Sequence, residues 1–402
     1  MSQPVPTALP HVVIAGGGVA ALEALIALRE LAPGGPRVTL LAPEPDFVYR
    51  PLSVAEPFCL GHATHYPLAD VARDFDAELV CGAIAEIDPA GRSVSLTDGS
   101  TLGYDSLLVA VGARSRTVFS HAITFGAEGA PEALSGLIAD LEEGYARRVA
   151  FVVPSSTAWS LPLYELAVIT ARHVWGAGID GIQLTFITPE VAPLDIFGRE
   201  GSRVVAGLLA DEAIEFVGSA SPDVVHNAVE AGGRRIDVDR TVTLPVPEGP
   251  EITGLPVDAD GFVPVDEHGA VPGLDGVYAA GDVTNFPIKQ GGLAAQQAVA
   301  AAEAIAARHG ADLDPQPYRP MLRGMLLTGG QSRWLRGPAG KTPASTQTAD
   351  HALWWPPTKI ATRYLAPYLL GQDDAAYLRS HVPDSHPVER DLELLGAQRP
   401  GR

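Results

Sequence analysis

Residues His11–Ala15 (HVVIA) are a short apolar run that leads straight into Gly16-Gly17-Gly18-Val19-Ala20-Ala21, and an alanine-rich stretch, Leu22–Leu31, follows. The order predicts a buried parallel strand, a glycine turn and a helix, which is the setting that G-x-G-x-x-G/A requires. Gly16 allows the tight turn, Gly18 lets backbone approach a pyrophosphate, and Ala21 permits close packing of helix on strand. The helix N-terminus, at Val19 and Ala20, attracts the phosphates. A second strand is predicted at Arg37–Leu41. The carboxylate that a dinucleotide fold places at its end to hold ribose hydroxyls has Glu44 as its nearest candidate, with a solvated loop charge as the alternative.

A glycine turn of this kind joins strand to helix in many folds, and only a second anchor makes it specific. It lies far downstream. Gly276–Asp282 (GVYAAGD) is a short apolar strand ending in Gly281-Asp282, and Gly291-Gly292-Leu293 opens a long alanine-rich helix running to about Arg308. A third piece, Tyr104–Ala113 (YDSLLVAVGA), adds a strand with Ala110 and Gly112 at its end. A strand ending in Gly-Asp together with an N-terminal G-x-G-x-x-A is the pairing found in FAD-binding flavoproteins with two dinucleotide folds. Asp282 would accept from a ribitol hydroxyl beside the pyrophosphate. The helix after it would aim its positive end at the flavin pyrimidine, where reduction places negative charge. Non-covalent FAD is the cofactor expected.

Composition narrows the class. The chain has 402 residues, 46% of them hydrophobic, enough for two or three domains at about 100–200 residues each. Its 28 Lys and Arg against 48 Asp and Glu leave a net charge of −20, which excludes a nucleic-acid partner and a polybasic membrane anchor. No basic n-region with an apolar h-region opens the chain, and no apolar run reaches the ~20 residues of a spanning helix. A cytoplasmic chain, at most peripheral on the inner face of a membrane, is expected. Cys59 and Cys81 are the two cysteines; they make neither a disulfide scaffold nor a metal-ligand cluster. Lysine occurs three times, at Lys289, Lys341 and Lys359.

The chain to about residue 380 resembles the sulfide:quinone oxidoreductase and type II NADH dehydrogenase group. Val38–Phe58 (VTLLAPEPDFVYRPLSVAEPF), Pro162–Ile169 (PLYELAVI) and Leu184–Pro193 (LTFITPEVAP) carry the likeness. The resemblance implies an α/β fold of two Rossmann-like domains, the second inserted in the first, plus a C-terminal segment. The FAD-binding domain would take 8–113 and 254–325, a degenerate NAD-binding-like insert 114–253, and the C-terminal segment 326–402. The insert's strands are predicted at Val149–Val153 and Leu184–Ile187, with a helix between them.

The group's chemistry does not carry over whole. Sulfide oxidation there uses a cysteine pair beside the flavin. Here Ser156-Thr157-Ala158-Trp159-Ser160 and Met321–Gly330 fill the matching stretches, and no cysteine follows Cys81. Without a thiolate no persulfide forms. Cys59 has no partner for disulfide reductase chemistry. A nicotinamide cofactor needs glycines after the insert's first strand, but Pro154–Pro162 (PSSTAWSLP) has none and carries two prolines. Glu190 remains a candidate for a ribose, against a vestigial fold that packs and binds nothing.

Three residues are candidates for chemistry. Glu165 stands at a helix start that the group points toward the flavin; an apolar setting would raise its pKa and suit it to relay protons. Lys289, in Pro287-Ile288-Lys289-Gln290-Gly291, matches the group's lysine at the flavin edge, where a cation would stabilise reduced flavin. Trp159 replaces a reactive cysteine with an aromatic surface on which a quinone ring would stack, or plugs the vacated space. Tyr49 and Arg50 belong to the stretch that approaches the flavin in this group. His62 and His65 lack a visible third metal ligand. From Pro357, helical spacing of apolar residues predicts a C-terminal helix carrying Lys359 and Arg363, with Trp354 and Trp355 before it. It would dock on the FAD domain or a second subunit of a homodimer, or meet a membrane interface. After Gly371 the tail, including Asp384 and Glu389, is polar.

These readings give an FAD-dependent oxidoreductase that passes electrons between a small-molecule donor and a quinone-like or other small apolar acceptor. The alternatives are an NAD(P)H dehydrogenase and a flavoprotein that acts by binding a partner.

Overall fold

The computed structural model describes residues 9–339 and 346–381, with side chains to 373 in the last helix. Lys341, Asp384 and Glu389 lie outside the described residues.

The first strand, β1 (His11–Ala15), leads through the glycine turn into α1 (Val19–Leu31), and β2 (Arg37–Ala42), β3 (Ala77–Cys81) and β4 (Ser106–Val109) follow. After an excursion of more than 100 residues, β10 (Val277–Ala279) completes the same sheet. Its order is β10-β4-β1-β2-β3, all parallel. Val12, Val13 and Ile14 are fully buried, as a strand covered on both faces requires.

The excursion builds a second parallel sheet. Its strands are β5 (Ile123–Thr124), β6 (Arg148–Val152), β7 (Gln183–Ile187), β8 (Ile214–Val217) and β9 (Arg240–Thr243), in the order β5-β9-β6-β7-β8. Helix α2 (Ala130–Glu143) precedes β6, and α3 (Leu161–Gly176) joins β6 to β7 as a crossover. The fold is therefore α/β with two Rossmann-like sheets, the second inserted between strands of the first. In each sheet the order reverses at a central strand, at β1 and at β6, so each has a crevice beyond its strand ends.

Helix α4 (Gly291–Arg308) packs beside α1 in one apolar core that includes Ala20, Ala24, Ala294, Ala298 and Ala301. A Cβ at Gly281 would meet Ala20 Cβ at 3.1 Å and Ala294 Cβ at 3.4 Å, which explains the glycine between them. Beyond α4 lies an antiparallel sheet of β11 (Met321–Leu326), β12 (Arg333–Pro338) and β13 (Gln347–Ala349).

The C-terminal helix, α5, spans Leu365–His381, not the stretch from Pro357 that its apolar spacing predicts. Residues 357–364 form an irregular strap instead, because other elements take its polar groups. Ile360 N donates to Tyr49 OH at 3.1 Å, and Lys359 Nζ to the Pro51 carbonyl at 2.8 Å. Lys359 and Arg363 are thus strap residues. The helix also continues through Gly371. Its first turn joins the α1 core through Leu365 and Leu369. No helix among the described residues is long and apolar enough to cross a membrane.

Candidate functional site

At the end of β1 the chain turns at Gly16, whose φ of +135° favours glycine. A Cβ there would stand 2.2 Å from the Ala110 carbonyl oxygen. The turn opens into a cavity of about 860 Å³ lined by Gly16, Gly18, Glu44, Arg50 and Gly112. A second cavity, of about 430 Å³, adjoins it, and the two share Gly18, Phe47, Val48 and Arg50. Val19, Asp282, Gly291, Lys289 and Trp159 line the second. Most predicted binding positions therefore converge on one pair of cavities. Ala20, Ala21, Gly281 and Leu293 do not line them; they are buried in the packing behind. Ala110 contributes the carbonyl against Gly16, and Gly292 lies behind Gln290.

Asp282 is half-buried at the mouth of the β10 turn, and among the described residues its carboxylate makes no hydrogen bond. Burial pushes its pKa up, and the positive charge of Lys289 pulls it back. The Lys289 ammonium lies 3.6 Å from the centre of the Phe262 ring and donates to the Thr284 carbonyl. Burial lowers its pKa to about 8, against the opposing pull of Asp282.

Glu165 sits on the second turn of α3, fully buried, and lines neither cavity. Its carboxylate accepts from Leu327 N at 2.7 Å and from Lys359 Nζ at 2.5 Å. Burial raises its pKa; Lys359 opposes the rise. Lys359 does line the second cavity. Glu165 thus holds the Lys359 ammonium at the cavity wall, and both lysines among the described residues face the same space. Sequence reasoning put Lys359 on the C-terminal helix and missed its place at this cavity, although the rarity of lysine singles it out as strongly as Lys289.

The remaining wall of the second cavity is largely apolar. Trp159 is half-buried, 6.1 Å between ring centres from Phe197. Phe125, Met325 and Ile360 add to it. Trp354 and Trp355 line a different groove, beside α4. Neither Cys59 nor Cys81 lines either cavity. His65 lines the larger one, 3.7 Å from Asp46, and among the described residues no group of three His, Cys, Asp or Glu is placed to hold a metal ion.

The crevice of the second sheet is arranged differently. Glu190, after β7, turns inward and accepts from Ser160 Oγ at 2.9 Å, Tyr164 OH at 2.6 Å and Thr188 Oγ1 at 3.0 Å. Tyr164 is stacked on Phe186, 3.9 Å between centres. The carboxylate that a ribose would need is engaged within the protein.

Comparison with known proteins agrees with this architecture. The chain is 27% identical over 327 residues to the ferredoxin reductase component of chlorobenzene dioxygenase from Cupriavidus sp. (strain PS12), covering 75% of each. It is 26% identical over 306 residues to the sulfide-quinone reductase of Aquifex aeolicus (strain VF5), covering 69% of each. The solved structure of sulfide:quinone oxidoreductase from Aquifex aeolicus superposes with a TM-score of 0.76 at 20% identity, over 92% of this chain and 91% of that one. Residues 10–304 match the family described as pyridine nucleotide-disulphide oxidoreductase, and the chain, with its paired parallel sheets and glycine turn, belongs to that family of flavin-dependent oxidoreductases.

Proposed function

We propose that the protein is an FAD-dependent oxidoreductase that takes electrons from a small-molecule donor and delivers them to a quinone-like or other small apolar acceptor, without cysteine persulfide chemistry. The observation that carries this reading is the pair of adjoining cavities, running from the glycine turn of β1 to Lys289, Lys359 and Trp159.

The residues fit the cofactor. A Cβ added at Gly18 would meet nothing within 4 Å, so the backbone there faces open space. No side chain caps the first turn of α1, which leaves its N–H groups for phosphate oxygens. Asp282 offers a carboxylate that needs a donor. We assign Gly16, Gly18, Val19, Glu44, Arg50, Gly112, Asp282 and Gly291 to holding FAD, within a binding domain of 8–113 and 254–325 interrupted by the insert 114–253.

When bound, FAD would supply two-electron transfer between donor and acceptor. The chain's own groups set the conditions for it. Lys289 and Lys359 put positive charge at the wall of the second cavity, where negative charge that develops nearby is stabilised. Glu165 fixes Lys359 through a buried ion pair and holds a proton-accepting carboxylate behind it. Trp159, Phe125 and Met325 exclude water and offer flat apolar surface to a planar acceptor.

The test is direct. Purified protein is expected to be yellow and to release FAD into the supernatant on acid precipitation. A ubiquinone analogue is expected to reoxidise the dithionite-reduced protein with saturation, and Trp159→Ala to change its half-saturation. A colourless protein that cannot be reconstituted overturns the cofactor assignment. Reoxidation that is unsaturable and indifferent to Trp159→Ala overturns the acceptor.

A further inference from the structure

A groove of about 430 Å³ lies along α4 and meets the second cavity at Arg323. Val299, Ala300 and Trp355 give it apolar lining, and Arg319, Arg323, Arg363, Glu23 and Glu303 its charged lining. Trp355 is 52% exposed, the most open tryptophan face on the molecule's described surface.

Arg323 is poorly matched there. Arg323, on β11, stands directly opposite Arg336 in the antiparallel register with β12. Like charges at opposed positions destabilise a sheet. Arg323 Nε is buried and has no hydrogen-bond partner among the described residues. Burial lowers the Arg323 guanidinium pKa, and the positive charge of Arg336 lowers it further. The two carboxylates in the groove are already engaged. Glu23 accepts from the backbone N–H groups of Arg363, Tyr364 and Leu365. Glu303 accepts from Gln316 N at 2.8 Å and lies 4.0 Å from Arg363. Among the described residues, Arg323 is thus a half-buried arginine that faces Arg336 across the sheet and makes no ion pair with a carboxylate.

We propose that this groove binds a small planar aromatic carboxylate, its carboxylate on the Arg323 guanidinium beside Arg319 and its ring against Trp355. The guanidinium fork matches carboxylate geometry, and an exposed indole face suits an aromatic ring. The volume suits a molecule of one or two rings. The net charge of −20 does not forbid an anion, because at physiological salt fields are screened within about 8 Å and the near arginines dominate. The proposal stands apart from the flavin reading, although Arg323 lines the second cavity as well as the groove.

Isothermal titration of the full chain with 2-naphthoate and with neutral 2-naphthamide tests it. The acid is expected to bind at least tenfold more tightly than the amide. Arg323→Gln is expected to lower 2-naphthoate affinity at least tenfold, and Trp355→Ala several-fold. Should Arg323→Gln not fold, Arg319→Gln, at an exposed position, is expected to lower affinity about threefold. Equal binding of acid and amide overturns the proposal, as does unchanged affinity in the arginine variants. A loss caused by Trp159→Ala, with none from Arg319→Gln or Trp355→Ala, places the ligand in the second cavity and also overturns it.

Discussion

The Asp282 carboxylate is held at the end of β10 with Lys289 as the one charge that lowers its pKa. A ligand hydroxyl at that position would make a charge-assisted hydrogen bond worth about 1.5–3 kcal/mol. Asp282→Ala is therefore expected to weaken FAD retention roughly ten- to hundredfold, measured by flavin fluorescence after dialysis. Retention equal to the parent chain would remove Asp282 from the site. Lys289 gives a second expectation at this scale. Its pKa falls from 10.5 to about 8, chiefly through burial. The folded chain thus gives up a proton near pH 8 that the unfolded chain keeps until about 10.5. Across that window the cost of burying the cation disappears, so its contribution to stability rises with pH. In flavin-free protein, acetylation of Lys289 followed by mass spectrometry is expected to show a midpoint near pH 8. A midpoint at the ordinary lysine value would refute the buried setting. Lys289 was legible in the sequence because its Pro-x-Lys-x-Gly context is local. Lys359 was not, because what gives it a role is Glu165, 194 residues away, and no local pattern records such a partner.

Elements tell the same story with different partners. Helix α5 begins where Glu23 reaches across from α1 to accept three backbone N–H groups at its start. A carboxylate there satisfies donors that a helix leaves open and complements its dipole. Glu23→Ala is expected to destabilise the protein by about 0.5–2 kcal/mol, the usual worth of an N-terminal cap, and to expose the segment after Pro357 to protease. Unchanged stability and cleavage would show that the helix docks without the cap. The strands and helices with strong local patterns fell where the sequence put them. β1 coincides with His11–Ala15, and α4 ends at Arg308. The C-terminal helix did not. Apolar residues at helical spacing between Pro357 and Tyr364 serve a strap, since the Tyr49 hydroxyl and the Glu23 carboxylate take the backbone N–H groups of Ile360, Arg363 and Tyr364 from the local ladder. In the insert, Asp239 joins β9 to β6 by accepting from the Arg148 guanidinium and from the N–H groups of Arg147 and Arg148. The guanidinium bond leads in holding its pKa down to about 2. The stabilisation is present above 3.8 and is lost as pH falls toward 2. Asp239→Asn is expected to flatten that part of the acid-unfolding curve and to leave it unchanged where the parent curve already lacks the charge.

At the scale of the molecule, two sheets of the same kind end in two crevices of opposite character. The first opens on Gly16 and Gly18, with backbone exposed to a large cavity. The second begins with Pro154 and runs through a loop without glycine, and its carboxylate, Glu190, is closed in by Ser160, Tyr164 and Thr188. Three hydroxyl donors around one buried carboxylate satisfy it without any ribose. A nucleotide entering there would have to break those bonds and would meet side chains where phosphates need backbone. The two crevices can therefore be set against each other experimentally. NADH and NADPH are expected to reduce the bound flavin slowly and without saturation at micromolar concentration, followed by stopped-flow bleaching of the oxidised flavin band. Glu190→Gln weakens the closing network while keeping its size, and by itself restores no glycine, so it is expected to leave that slow rate within about threefold of the parent. Fast, saturable reduction at micromolar NADH would show that the loop from Pro154 to Pro162 yields to the cofactor, and would make the protein an NAD(P)H dehydrogenase.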